Sequence, residues 1–233
     1  LTRVTDKRHV RHDLADIFCT TNEGVRGQRA KDWRLVDDIA KPAVFADSVK
    51  ARAAQLASQS QRPSGVNGVA LTPLSREFTA DAVNYPHVQI QIDRAKRTAT
   101  WHINAPTQAL PADGEAARAL GADWAVLQLA RELDDAILHM RTNGPDLGVW
   151  LIKTRGQAQA VAAMDAFLAA HAEHWFVRQT LGLWRRTLSR LDVSSRSLFA
   201  LVDEGSCFVG TFLELALACD RIYHLALPDT PEA

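Results

Sequence analysis

Residues 197–225, SLFALVDEGSCFVGTFLELALACDRIYHL, combine an apolar run, a loop of small residues and a helix that begins beside a carboxylate. A buried strand that breaks into such a loop and then a helix leaves backbone N–H groups unpaired at the start of the helix. These donors and the helix dipole suit an anion or a developing oxyanion. Glu214 falls in the first turn of a helix predicted over about 211–219. There a partly desolvated carboxylate could act as a general acid or base, or it could simply complement the helix dipole.

Four histidines form two pairs, each three residues apart on a predicted helix: His9 with His12, and His171 with His174. Neither pair has a carboxylate or a cysteine at a spacing that would complete a metal site. The three cysteines have neither metal-ligand spacing nor the spacing of a disulfide framework. We therefore predict solvated or packed histidines and no bound metal.

Other catalytic motifs are absent from the sequence, which has no GxSxG, HExxH, P-loop or GxGxxG pattern. Three arginines gather on one predicted helix and could meet phosphates: Arg185, Arg186 and Arg190. A solvated helix face is the more common role of such a cluster, and we prefer it here.

The composition is that of an ordinary globular protein, with 233 residues, 47% hydrophobic and 23% charged. Lysine plus arginine number 27, as do aspartate plus glutamate, so no positive excess indicates a nucleic acid partner. No apolar run approaches the ~18 residues that span a bilayer, and no signal peptide opens the chain. These features, with three predicted reduced thiols, favour a cytoplasmic protein without a membrane partner.

The first part of the chain, 1–60, is predicted to be mainly helical. Thr5 or Asp6 would cap a helix over 5–21, and 25–42 reads as a turn, a short helix and a brief strand. An apolar period then predicts a helix over about 44–59. The stretch 61–85 begins with Ser, Pro, Gly and Asn residues and is predicted to be a linker.

The second part, 86–233, alternates strands with helices. A hairpin is predicted around DRAKR, followed by a loop rich in Pro and Ala and by an amphipathic helix whose apolar stripe runs from Val126 to Met140. The continuous apolar run at 147–152 predicts a strand that is covered on both faces, and 197–202 predicts another buried strand. Helices are predicted at about 157–170 and 173–191, and a last strand at 221–227. Strands that alternate with helices favour βαβ crossovers and an α/β fold.

The motif LELALACDRIYHL at 213–225 resembles the helix–strand signature of the crotonase (enoyl-CoA hydratase/isomerase) superfamily. VQIQIDRAKR resembles the first hairpin of that fold, and DLGVWLIKTRG resembles the strand that leads to the first oxyanion donor. The helices and the RGQRAKDWRLVDDIAKP turn before residue 60 resemble the stretch that follows the active-site loops. The order implies a crotonase-like spiral of strand–helix units, with the end of one unit before the start of a second.

This arrangement, together with FVRQTLGLWRRTLSRLDVSSRSLFALVDEGSCF, resembles the benzoyl-CoA-dihydrodiol lyase family within that superfamily. The resemblance implies a lyase that opens the ring of 2,3-epoxybenzoyl-CoA with water to 3,4-dehydroadipyl-CoA semialdehyde and formate, in aerobic benzoate degradation. It implies an aryl-CoA thioester as substrate, a homodimer, and no cofactor, since CoA is part of the substrate. Two alternatives are a non-catalytic acyl-CoA-binding or dimerisation module and a plain enoyl-CoA hydratase/isomerase.

Two departures from the family pattern affect the second unit. TRGQAQAVAAMDAF stands where an active crotonase has a Gly-Ala-Asp loop, and GSCFVGTFLE has bulky residues and one extra position in the glycine-rich loop. Thr211 stands at the position of the oxyanion-donor glycine, Gly210 is the other candidate donor, and Glu214 is the candidate catalytic carboxylate. Residues for ring cleavage are expected upstream of Leu1, so we expect 1–233 to be an inactive fragment by itself.

Overall fold

A computed structural model describes residues 3–61 and 68–226, which divide between two compact units, 1–66 and 67–233. Residues 62–67 of the predicted linker, and the final residue of the strand predicted at 221–227, lie outside the described residues.

The described part of the first unit contains helices and turns. A short π-helical turn at Arg3–Lys7 precedes α1 (His12–Thr20), α2 (Gly27–Asp32), a 3₁₀ turn at Pro42–Val44 and α3 (Phe45–Ser58). The helix predicted over 5–21 is wrong as one element, because His9 adopts φ 54° and breaks the helical path. The brief strand predicted within 25–42 is also absent from this described range, whereas α3 confirms the helix predicted at 44–59.

Few side chains of the first unit are buried. Val10, Ala15 and Ala30 form its apolar interior in the described residues, with exposures of 3%, 0% and 4%. The predicted apolar stripe of α3 is exposed instead, with Phe45 at 59% and Leu56 at 53%. The spacing of its apolar residues therefore predicted this helix correctly, although the described residues of the unit do not cover its apolar face.

The second unit is built on a seven-stranded sheet whose strands follow chain order. The strands are β1 (Glu77–Phe78), β2 (Ala82–Asn84), β3 (Val88–Asp93), β4 (Thr98–Asn104), β5 (Val149–Arg155), β6 (Ser197–Val202) and β7 (Arg221–His224). Neighbours from β1 to β4 are antiparallel and those from β4 to β7 are parallel. The α/β class and the β3–β4 hairpin are confirmed, but β1 and β2 lie within 61–85, the predicted linker.

The helices of this unit are α4 (Gly114–Leu120), α5 (Ala125–Asn143), α6 (Ala158–Ala170), α7 (Trp175–Leu191) and α8 (Leu213–Leu217). Helix α4 falls in a stretch that was predicted to be a loop rich in Pro and Ala. It begins because the Asp113 carboxylate accepts a hydrogen bond from Ala116 N–H at 2.8 Å, which caps its N-terminus. In the described residues, no helix is long and apolar enough to cross a membrane.

The core of the second unit lies between one face of the sheet and helices α5, α6 and α7. Helix α5 buries the predicted stripe: Val126, Leu129, Ala130, Leu133, Ile137 and Met140. Strand β5 alternates between buried and half-buried residues, so the prediction that it is covered on both faces is wrong. Its buried side chains, such as Trp150, face the helices, and Lys153 and Arg155 lie on the opposite face.

Parallel pairing fixes where the candidate site lies. The carboxyl ends of β4, β5 and β6 meet at one edge of the sheet, and the three following loops begin there. These loops start at Ala105, Gly156 and Asp203. The loop that begins at Asp203 and leads to Gly210 and Thr211 therefore lies beside the two others.

Candidate functional site

The loop after β6 enters α8 through a tight 3₁₀ turn at Gly210–Phe212, and α8 itself is only five residues long. The continuous helix predicted over about 211–219 is therefore wrong in its geometry. Phe212 and Leu215 are fully buried, which anchors the turn and the short helix in the core. Gly210 has φ 51°, a conformation that glycine adopts without steric cost.

The first candidate oxyanion donor already has an acceptor. Thr211 N–H donates to Asp165 Oδ2 at 2.7 Å, and Thr211 Oγ1 donates to Asp165 Oδ1 at 2.5 Å. A Cβ atom at Gly210 would lie 1.8 Å from Asp165 Oδ2, so the carboxylate lies directly against the glycine. Asp165 of α6 thus occupies the position at Gly210–Thr211 that the resemblance predicts for an oxyanion.

The loop after β5, where the resemblance places the other oxyanion donor, is also closed by internal contacts. Gly156 N–H donates to the Gly205 carbonyl oxygen at 3.3 Å. Gly156 has φ 135°, and a Cβ atom there would lie 2.6 Å from Ala105 Cβ. The backbone N–H groups of Gly156 and Thr211 are therefore both used within the unit.

A charged cluster holds the start of the β6–α8 loop. Asp203 accepts from Arg155 at 2.5 and 3.0 Å, from Lys153 Nζ at 2.8 Å and from Ser206 Oγ at 3.1 Å. The hydrogen bonds from Arg155, Lys153 and Ser206 hold the pKa of Asp203 well below its usual range. Burial and the positive charges of Lys153 and Arg155 lower the pKa of neighbouring His102. The loop is therefore pinned to β5 before it reaches Gly210.

The thiols near this loop, which are buried in Cys207 and partly buried in Cys219, are poor nucleophiles. Cys207 N–H donates to Thr154 Oγ1 at 2.9 Å, and burial raises the pKa of the Cys207 thiol. Burial also raises the pKa of Cys219 to about 12. Because the thiolate is the nucleophilic form, neither environment favours nucleophilic chemistry at neutral pH. All three cysteines are free thiols, as predicted.

A cavity of about 390 Å³ opens beside the loops that follow β4 and β5. Its lining is mostly apolar and comes from 105–110, 124–126, 156–157, Ala160, Ala163 and Met164. Gln108 is fixed in the wall, since its Oε1 accepts from Ala125 N–H at 2.9 Å and its Nε2 donates to the Asp123 carbonyl oxygen at 3.2 Å. The cavity can hold an apolar group of moderate size.

Two of the histidines considered as metal ligands, and one of the three arginines considered for phosphate binding, contact other side chains of the unit. His174 Nε2 lies 2.8 Å from Glu115 Oε1, and the ring of His171 lies 4.6 Å from that of Phe167. Arg190 donates to Asp134 at 2.6 Å, and the side chains of Arg185 and Arg186 are exposed. Within the described ranges, no three His, Cys, Asp or Glu residues form a group that could hold a metal.

Comparison with known proteins gives a strong sequence match and a weak structural likeness. The chain is 55% identical over 225 residues, 97% of its length, to the benzoyl-CoA-dihydrodiol lyase of Aromatoleum evansii. The predicted resemblance is confirmed. The chain spans 40% of the length of that lyase. No protein-family model matches the chain.

A crystal structure of an enoyl-CoA hydratase from Geobacillus kaustophilus superposes with a TM-score of 0.41 and 20% identity. The superposition covers 63% of this chain and 48% of the hydratase. A likeness at this score adds nothing to the similarity with the lyase.

The roles of Glu214, Gly210 and Thr211 stay predictions. Glu214 is exposed on α8, makes no side-chain hydrogen bond in the described part of the chain, and is not among the cavity-lining residues. Gly210 and Thr211 lie in the turn that enters α8, and the sequence prediction missed Asp165, which contacts both. A signal for it exists in the sequence, because Asp165 is the single charged residue of α6, AQAVAAMDAFLAA.

Proposed function

We propose that this chain forms part of a carbon–carbon lyase that opens the ring of an aryl-CoA thioester. The substrate would be 2,3-epoxybenzoyl-CoA or its 2,3-dihydrodiol form, and water would convert it to 3,4-dehydroadipyl-CoA semialdehyde and formate. The observation that supports this proposal is 55% identity over 97% of the chain to the benzoyl-CoA-dihydrodiol lyase. The fold would be a crotonase-like spiral that spans the end of one unit and the start of the next.

Within that lyase, the second unit would shape and support the enzyme rather than carry the chemistry. Its Gly156 and Thr211 N–H groups already donate to Gly205 and Asp165, so they offer no preorganised pair of donors to a thioester. We therefore propose that the ring-opening residues belong to the portion of the lyase that this chain does not span. Chain 1–233 alone is expected to release no formate from 2,3-epoxybenzoyl-CoA.

A chimera tests the proposed function directly. The segment of the Aromatoleum evansii lyase that aligns with this chain is replaced by this chain, and formate release from 2,3-epoxybenzoyl-CoA is measured. At 55% identity the packing against the rest of the lyase should be kept, so the chimera is expected to be active. The same lyase with the segment deleted is the control and should be inactive. A folded chimera that releases no formate would contradict the proposal.

A second candidate function, a non-catalytic acyl-CoA-binding module, is favoured by the apolar cavity of about 390 Å³. Calorimetry with benzoyl-CoA tests it, using Ala163→Leu to fill the cavity and Ala169→Leu, an exposed change on the same helix, as the control. Loss of binding only in Ala163→Leu would support the module. A plain enoyl-CoA hydratase is less favoured, since the lyase is the strong match, and an assay with crotonyl-CoA tests it.

The assembly and location follow from the proposed lyase. We propose a cytoplasmic homodimer that uses no resident cofactor, with CoA entering as part of the substrate. The free thiols of Cys19, Cys207 and Cys219 are in keeping with a reducing compartment. Sedimentation of the chimera tests the dimer, because a monomeric yet active chimera would rule it out.

A further inference from the structure

The Asp165 carboxylate accepts hydrogen bonds from uncharged donors, as an oxyanion does in an acyl-transfer site. Both of its carboxylate oxygens accept from Thr211, one from the backbone N–H and one from the hydroxyl. In the described part of the chain Asp165 forms no ion pair, so the nearby donors that stabilise its charge are dipoles rather than a cation. The carboxylate is partly buried, where such dipoles act more strongly than in water.

The surrounding backbone is shaped for this contact. Gly210 leaves no room for a side chain, because its Cβ position would be 1.8 Å from Asp165 Oδ2. Helix α6 is otherwise uncharged and buries Val161, Met164, Phe167 and Leu168 in the core. A carboxylate among such apolar neighbours destabilises the fold unless it accepts hydrogen bonds, and Thr211 donates two.

We propose that the Asp165 carboxylate is a built-in occupant of the oxyanion-donor position at Gly210–Thr211, which fastens α6 to this loop and excludes a thioester oxygen from it. The identification of that position as an oxyanion site depends on the resemblance to crotonases, whereas its occupancy depends on the distances alone. The backbone of an anion site would thus be kept, while the Asp165 side chain of the same unit occupies the place of the anion. The proposal does not depend on the lyase activity, because its tests measure the Thr211 amide.

The first experiment compares amide exchange and melting in the full chain and in Asp165→Ala. Loss of the acceptor frees Thr211 N–H, so its exchange measured by NMR should become at least about tenfold faster. The melting temperature should fall by roughly 4–8 °C, the effect of losing a charge-assisted pair in a unit of this size. Glu204→Ala removes an exposed carboxylate from the same loop, which makes no side-chain hydrogen bond in the described residues, and should shift melting by no more than about 2 °C.

Asp165→Asn keeps the proposal testable if the alanine variant does not fold. The amide oxygen can still accept from Thr211 N–H but carries no charge, so exchange and melting should fall between those of wild type and Asp165→Ala. Unchanged Thr211 exchange in either folded variant would overturn the proposal, even if melting changed, because Asp165 would then stabilise the unit by another route.

The second experiment tests exclusion in the unmodified chain. Benzoyl-CoA is titrated while the Thr211 amide resonance is followed, and we expect this resonance to stay fixed. A ligand that entered only the cavity beside Gly156 and Gln157 would shift the resonances of the cavity lining and leave Thr211 unchanged. A saturable shift of the Thr211 amide would mean that a thioester displaces Asp165, and it would overturn the proposal.

Discussion

Arg155 and Asp203 join the ends of β5 and β6 through two hydrogen bonds, at 2.5 and 3.0 Å, on the sheet face away from the core. Lys153, two residues earlier on β5, adds a third at 2.8 Å. Two cations on one strand therefore hold the first residue of the loop that carries Gly210 and Thr211. The ion pair acts on the candidate site by fixing where this loop begins.

Asp203→Asn is expected to lower the free energy of unfolding by about 1–2 kcal/mol at neutral pH, since the pair is partly exposed. The pKa of Asp203 is depressed in the folded chain, so its contribution is complete above the unfolded carboxyl pKa of about 3.9 and is lost gradually as pH falls from there through the lower folded pKa. Urea unfolding at several pH values should show the full wild-type advantage at pH 6 and a progressively smaller one as pH falls from about 4 towards 2.

The exposed neighbour Glu204 supplies the control for this pH dependence. Glu204→Gln changes the same charge in the same loop, but the described residues give this side chain no hydrogen-bond partner. The difference in stability between wild type and Glu204→Gln should stay within about 0.5 kcal/mol across the same range. An Asp203→Asn effect that is equally large at pH 2 would show that the ion pair is not its source.

Glu132 is the fully buried carboxylate of α5, and it anchors the start of β3. It accepts from His87 N–H at 2.8 Å and from Gln128 Nε2 at 2.9 Å. Glu132→Ala leaves both donors unsatisfied and opens a cavity, so we expect a loss of about 3–4 kcal/mol in urea unfolding. Gln128→Ala removes one donor from the carboxylate and should cost about 1 kcal/mol. Equal losses in the two variants would show that the buried carboxylate is not the anchor.

The periodicity of apolar residues predicted correctly those elements that bury one face in the core. The alternation in 88–103 gives the β3–β4 hairpin, and the stripe from Val126 to Met140 gives α5, because burial of one face selects one period. The single helix predicted over 5–21 is wrong, because His9 adopts a left-handed backbone conformation that interrupts it. The local sequence around His9 did not indicate this conformation.

The candidate site shows the other limit of sequence reasoning. The resemblance predicts an oxyanion donor in the loop at Gly210 and Thr211 from a motif that is continuous in sequence. The acceptor of the Thr211 N–H lies 46 residues earlier, on a different helix, and a local motif carries no information about such a contact. The lone charge on α6 was the available signal, and only packing shows that Asp165 faces Thr211.

Arg34→Gly is expected to stabilise the first unit. Arg34 follows α2 with φ 62°, and Leu35 N–H donates to the Ala30 carbonyl oxygen at 2.9 Å, the pattern of a helix end that usually contains glycine. Removing the side chain relieves steric cost at this angle and should add about 0.5–1 kcal/mol to the free energy of unfolding. Arg34→Ala keeps the Cβ atom and should give no gain. A similar gain in both variants would locate the effect in the arginine side chain.

Glu214→Gln in the chimeric lyase separates the two roles considered for this residue. Glu214 is exposed and lies outside the cavity lining, so we expect kcat and KM for 2,3-epoxybenzoyl-CoA within about twofold of the unsubstituted chimera. A helix-dipole role would appear only as a small loss of stability, about 0.5 kcal/mol. A fall in kcat of about tenfold or more, with unchanged stability, would instead assign Glu214 to the chemistry.

Gly210→Ala and Gly205→Ala form a matched pair that separates backbone strain from the contact with Asp165. Both glycines have positive φ, 51° and 79°, so each alanine should cost about 1–2 kcal/mol for the left-handed conformation. Only Gly210 lies against Asp165, since a Cβ at Gly205 would find its nearest neighbour 3.8 Å away. Gly210→Ala should therefore cost about 2 kcal/mol more, because it also displaces the carboxylate from Thr211.

The Asp165→Ala background completes this comparison. With the carboxylate absent, the additional cost of Gly210→Ala should disappear, and the two alanine substitutions should destabilise the chain equally. Urea unfolding of wild type, the single variants Asp165→Ala and Gly210→Ala, and their double variant measures the coupling between residues 165 and 210. A coupling free energy near zero would mean that the loop moves aside at no cost, so the glycine would be required by its backbone angle alone.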